Sequence, residues 1–264
     1  MVRLAANIST LFSDLPLADR VLAAADHGFR GIELQFLPET GLEEIAAAAR
    51  RREVEVVLFN AAPGDTTRNQ LGLAGLVEEV DRFHESMEEA LVAAAVFDCR
   101  RIHVLAGRRV SDTPLAEQRR HLVASLAWAA ERAATAGVML LIEPLNARLA
   151  PDYLVGTLED ALQLVDASGS ENIQVQFDLF HLQVMGGDIT TRFDAALPRI
   201  GHVQVAATPS RAEPDWGELN IPFIFDHIDR TEYAGWIGCE YFPKGDTSKG
   251  LDWAIPYGIA RPKQ

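Results

Sequence analysis

Eight times along this chain a short apolar run is followed by a polar loop and then by a longer segment rich in Ala, Leu, Glu and Arg. The apolar runs fall at 4–7, 31–34, 54–59, 101–105, 138–142, 173–177, 200–205 and 236–240. Helical segments such as 17–27, 42–52, 77–98, 114–136, 158–167 and 222–229 occupy the intervals. Short continuous apolar strands that alternate with helices pair in parallel, with the helices covering the sheet. Eight such units in 264 residues fit a closed single (β/α)8 TIM barrel, one domain over 1–264, although length alone also admits two domains. A doubly wound open sheet is the competing arrangement, but neither a G-x-G-x-x-G loop nor a P-loop follows any of the runs. Helix ends are marked in places: Asp112 and Thr113 before Pro114, Thr157 before Leu158, and Gly28 and Gly137 directly after helical segments.

In a parallel barrel the C-terminal strand tips converge on one mouth, where reacting groups collect. Here the tips carry, in chain order, Asn7, Glu33, Asn60, His103, Glu143, Asp178, Gln204 and Glu240. Three carboxylates and an amide from the last four strands therefore aim at one place. In "GVMLLIEPLNA" the pattern is plainest, five apolar residues at 138–142 ending in Glu143. Acids brought that close repel one another and, ionised together, need a cation. A hard divalent ion, Mg2+ or Mn2+, suits the oxygen donors of Glu143, Asp178, Gln204 and Glu240. An amide ligand disfavours zinc, which prefers nitrogen and sulfur. The plain alternative for Gln204 is an amide that bonds its neighbours inside the barrel.

His181 follows Asp178 by three residues, a spacing that puts both on one face of a helical turn. It either binds substrate or orients a ligand, or else caps and packs. His202 shares a strand face with Gln204 and sits one layer deeper. Arg211 lies in "ATPSRAEPDWGELN", a loop overhanging the mouth, where a guanidinium would clamp a substrate carboxylate or phosphate. Its alternative is a rim ion pair with Glu213 or Asp215. Lys244 in "YFPKGD" and Asn7 at the first tip complete the substrate-binding candidates, Lys244 with a solvated role as its alternative. His27, His84, His121 and His227 fall in helical segments and are assigned to packing or surface.

Twenty-four basic against 38 acidic residues give a net charge of −14, which argues against nucleic acid and anionic membrane as partners. A small anionic substrate held by local arginines stays compatible. Only Cys99 and Cys239 are present, so no disulfide framework is encoded, and both read as small buried residues. The N-terminal stretch lacks a signal-peptide core, and no apolar run reaches the roughly 20 residues of a membrane span, so a cytoplasmic protein is expected. Monomer and homodimer both remain open.

These residues resemble the hydroxypyruvate isomerase family, within the wider xylose-isomerase-like group of metal-dependent barrels. The resemblance is carried by "ANIS" with "LF", "GFRGIE", "PGD", "LLIEPLN", "QFDLFHLQVMGGD", "GHVQVA", "GELN" and "GWIGCEY", which span nearly the whole chain. It implies a divalent metal on Glu143, Asp178, Gln204 and Glu240, with Glu143 and Glu240 also serving as acid/base pair. It further implies isomerisation of a short hydroxy-oxo acid through an enediolate: hydroxypyruvate with tartronate semialdehyde, or 2-dehydrotetronate with 3-dehydrotetronate. One departure stands out, since where relatives resemble A-V-P-G-R this chain reads "LAGLVEEVDRFHES", which alters the loop after strand three. A ketose 3-epimerase on the same barrel competes, although such relatives usually carry His at the Gln204 position. An endonuclease of the group would need zinc-binding histidines that are missing here. A non-catalytic sugar-acid-binding barrel is a further alternative, against which the intact Glu143 and Glu240 argue.

Overall fold

Period-two alternation, masked in the sequence because both strand faces are largely apolar, sorts the side chains of the strands into two sets, broken in β3, where the consecutive Val57 and Leu58 share one set. Leu140 and Ile142, Ile173, Val175 and Phe177, Val203 and Val205, and Ile237 and Cys239 all join one core shared with the helices. Their strand neighbours must then turn to the barrel lumen. Ala5, Val57, Leu58, Leu141 and Trp236 form a second, smaller cluster there. Gln174, Gln176, His202 and Glu33 turn the same way, so the lumen is apolar only in part.

The computed structural model describes residues 1–260. The last four residues of the 1–264 unit expected from sequence lie outside the described residues. Eight strands, β1 (Arg3–Asn7), β2 (Gly31–Leu34), β3 (Glu55–Asn60), β4 (Arg101–His103), β5 (Met139–Ile142), β6 (Ile173–Asp178), β7 (Ile200–Val205) and β8 (Trp236–Cys239), close into a barrel in sequence order. Every neighbouring pair is parallel, and β1 pairs with β8 from Arg3↔Trp236 to Ala6↔Cys239. Helices α1 (Leu17–Asp26), α2 (Leu42–Arg51), α3 (Val80–Phe97), α4 (Leu115–Thr135) and α5 (Leu158–Ser168) follow the first five strands. The β6–β7 connection holds two short helices, α6 (Leu179–Met185) and α7 (Ile189–Ala196), where the sequence reading marked none. Helix α8 (Ile221–Asp229) and the single turn α9 (Thr247–Gly250) complete the set among the described residues.

Where sequence and structure differ, local chemistry gives the reason. Residues 77–79 form a 3-10 turn, so α3 begins three residues later than the apolar pattern suggests. Strand β4 stops at His103, and Ala106 leaves the barrel ladder to bridge Gly72 in the loop after β3. Helix α4 is led by Pro114 itself, with no side-chain cap from Asp112 or Thr113. Thr157 does cap α5, accepting a hydrogen bond from the Asp160 N–H at 3.1 Å. No helix among the described residues is long and apolar enough to cross a membrane.

Candidate active site

Strand register delivers the polar tips to one mouth. Asp178 of β6 stands opposite Gln204 of β7, and Gln204 stands opposite Gly238 of β8. Glu143 and Glu240 are the first residues beyond β5 and β8, and both are buried. Asp178 also begins α6: its Oδ1 accepts from the Phe180 N–H at 2.8 Å, which leaves Oδ2 for the mouth. That Oδ2 and Oε1 of Glu143 are buried without a hydrogen-bond partner. Carboxylate oxygens in that state are costly unless they are protonated or neutralised by a cation.

The electrostatics carry the same message. Burial, then Glu240, then Asp178 push the Glu143 carboxyl well above the usual carboxylate range. Burial likewise pushes Asp178 up to about 7, with Arg211 opposing the rise and Glu240 adding to it. Among the described residues, Glu143, Asp178 and His181 form one group whose ligand atoms lie within 4.8 Å of one another. The partnerless Glu143 and Asp178 oxygens fit a hard divalent cation. His181 fits less well as a ligand. Its Nδ1 accepts from the Asn146 backbone N–H at 2.9 Å, so a neutral ring carries its proton on Nε2 and has no lone pair there. Burial, then Arg211 and His103, hold the ring well below its ordinary pKa, which keeps it neutral. Nε2–H therefore faces Oδ2 of Asp178 at 3.6 Å and Oε1 of Glu143 at 4.0 Å, beyond hydrogen-bond distance of either.

Glu240 stands apart from that trio, with both oxygens occupied. Oε1 accepts from Gln35 Nε2 at 2.8 Å and lies 3.5 Å from Asn7 Nδ2, and Oε2 accepts from Arg211 at 2.8 Å. Arg211 thus reaches inward to Glu240 instead of pairing with Glu213 or Asp215 at the rim. Burial alone would lower its pKa, but Glu240, Asp178 and Glu143 overcome that and raise it. The guanidinium lies 5.3 Å from the Phe180 ring, and its Nε is buried without a partner. Gln204 is engaged at both ends: its Oε1 accepts from Gln176 at 2.6 Å, which uses one of its two lone pairs, and its Nε2 donates to Glu33 at 2.9 Å. Asn7 is buried beneath Glu240, bonded to Glu33. Lys244 is exposed with Nζ 4.6 Å from the centre of the Trp216 ring, so it does not join the other candidates.

Three contributors carried no role in the sequence reading. Gln35 follows Glu33 by two residues, and strand alternation could have marked it as facing the same way. Asn146, three residues past Glu143, sets the His181 tautomer. His103 was only a strand tip; its Nδ1 lies 3.6 Å from Oε2 of Glu143, and burial drops its pKa to about 3.

The description "xylose isomerase-like TIM barrel" fits residues 21–257 of this chain. The chain belongs to that family. Members close to it include the 2-oxo-tetronate isomerase of Cupriavidus necator, 41% identical across 97% of this chain and 99% of that one. The hydroxypyruvate isomerase of Escherichia coli is 33% identical across 97% of this chain and all of its own. Among solved structures, one described as an AP endonuclease, family 2, from Brucella melitensis superposes with a TM-score of 0.95 at 36% identity, covering 98% of this chain and all of that one. Within this xylose isomerase-like family the chain is an isomerase, an intramolecular oxidoreductase.

Proposed function

We propose that the protein interconverts a short hydroxy-oxo acid with its aldehyde or keto isomer, hydroxypyruvate or 2-oxo-tetronate being the substrate class. The observation that carries this reading is the pair of buried, partnerless carboxylate oxygens of Glu143 and Asp178, set within the field of the half-buried guanidinium of Arg211. A site of that composition attracts a small anion that also carries oxygen donors for a cation. The names of the relatives at 41% and 33% identity support the same substrate class.

Arg211 would take the substrate carboxylate in its guanidinium fork. Of Glu143 and Glu240, one removes the proton from the hydroxyl-bearing carbon, and the C–H electron pair becomes the C=C bond of an enediolate. The other returns a proton to the former carbonyl carbon, and the roles exchange in the reverse direction. The burial that raises the Glu143 pKa makes it a stronger base once ionised. Gln35 and Arg211 hold the Glu240 carboxylate in place for its part. The hydroxyl proton must also pass between the two substrate oxygens, and His181 Nε2–H would hydrogen-bond them without giving up its proton. A divalent ion, Mg2+ or Mn2+, on Glu143, Asp178, Gln204 and Glu240 would acidify the C–H and offset the developing charge.

The test is a panel of hydroxypyruvate, 2-oxo-tetronate and ketohexoses, assayed on metal-stripped protein and after restoring Mg2+ or Mn2+. Turnover of a short acid that needs the metal is expected, with ketohexoses inert. Equal rates with and without metal, or turnover of ketohexoses alone, would overturn the reading.

A further inference from the structure

Glu33, the penultimate residue of β2, lies in the lumen below the mouth and takes no part in the chemistry above. Its carboxyl is fully buried and crowded with donors. Oε2 accepts from Gln204 Nε2 at 2.9 Å and from Asn7 Nδ2 at 3.3 Å, while Oε1 contacts His202 Nε2. Strand β8, on the other side of β1, makes room for it, since Gly238 has no side chain and a Cβ there would overlap the Glu33 carboxyl far inside contact distance. A backbone position emptied to admit a buried carboxyl indicates a purpose for that carboxyl.

That purpose follows from the asymmetry of an amide. One end of the Gln204 side chain is a carbonyl with two lone pairs; the other is an NH2 that only donates and cannot ligate a cation. Oε2 of Glu33 accepts, so it selects the NH2 end. The carbonyl is thereby turned to the far side, where Gln176 Nε2 uses one lone pair at 2.6 Å and leaves the second. We propose that Glu33 is a positioning residue that holds the Gln204 amide by its NH2 end, leaving the second lone pair of the carbonyl as the neutral oxygen donor of the cation site. The inference rests on the metal reading of Glu143, Asp178, Gln204 and Glu240 given above.

The measurement is Mn2+ binding to metal-stripped protein, followed by the electron paramagnetic resonance signal of unbound Mn2+, so that no turnover is needed. Glu33→Met removes the acceptor at similar size and is expected to raise the Mn2+ Kd by about 10- to 100-fold, as loss of an outer hydrogen-bond partner does. Glu33→Gln keeps a carbonyl opposite Gln204 and Asn7, two donors that would orient it, and is expected to weaken binding by well under about tenfold. In a Gln204→Ala background, Glu33→Met is expected to add no further loss. Gly238→Ala, which displaces the Glu33 carboxyl from β8, is expected to weaken Mn2+ binding as Glu33→Met does, and it serves if Glu33→Met does not fold. Unchanged affinity in the folded variants overturns the proposal. So does equal weakening by Glu33→Gln, which would assign the effect to charge, or an undiminished loss in the Gln204→Ala background. Wild-type protein without a Mn2+ site would instead overturn the metal reading, and the inference with it.

Discussion

Glu143 and Glu240 enter the mouth from β5 and β8 in opposite conditions, one with a buried oxygen unpartnered, the other fully engaged. Replacing either by Gln keeps the shape and removes the proton-transfer group, so each change is expected to lower kcat by about 10²- to 10⁴-fold. Steady-state kinetics with a short hydroxy-oxo acid checks this, and a variant with near wild-type kcat would remove that residue from the acid/base pair. Arg211→Met is expected to cost about 1.5–3 kcal/mol of substrate affinity, roughly 10- to 150-fold in KM, by deleting a charge-assisted contact. An unchanged KM would leave the substrate carboxylate without its proposed partner. The carboxylate tips were legible in sequence because four successive strands end in an oxygen-bearing side chain, whereas a single acid at a strand tip is unremarkable. The state of His181 was not, since it depends on a backbone N–H 35 residues away. Nor was the inward turn of Arg211, because its nearest acids in sequence are Glu213 and Asp215.

At the scale of elements, the recurrence of short apolar runs with helix-like segments between them was enough for eight strands and six of the helices. The β6–β7 pair α6 and α7 escaped because each is short and Gly186-Gly187 interrupts them. The loop after β3, where the chain departs from the resemblance, is held by backbone contacts that no pattern announces. Gly72 there has φ +108, donates its N–H to the Pro63 carbonyl at 2.7 Å and presses against the Leu105 backbone. A Cβ at 72 would overlap the Leu105 carbonyl. Gly72→Ala therefore combines backbone strain with overpacking and is expected to destabilise by roughly 2–6 kcal/mol. Urea unfolding should show a lower midpoint at unchanged m-value, and a wild-type midpoint would mean the loop accommodates the methyl freely.

Over the whole molecule, the buried acids make stability depend on pH in an unusual direction. The Asp178 pKa rises from 3.8 to about 7 on folding, so the folded state holds a proton that the unfolded chain releases. Its contribution is present below about pH 4 and is lost as pH climbs to about 7. In the absence of metal, Tm should fall across that window more steeply for wild type than for Asp178→Asn, and saturating Mn2+ should recover it. Parallel curves for the two proteins would contradict the assignment. The net charge of −14 adds repulsion as carboxylates ionise, which is why the variant comparison, not the slope alone, is decisive. Closure of the sheet was legible from the eightfold recurrence, but the pairing of β1 with β8 joins residues at opposite ends of the barrel sequence. That seam has a consequence for the chain as it is made. While the ribosome is still adding residue 235, seven strands present two open edges and only part of the mouth. Glu240 follows directly on the strand that shuts the seam, so the same few residues that remove the last sticky edge also complete the acid/base pair, and a nascent chain gains safety from aggregation and its activity together.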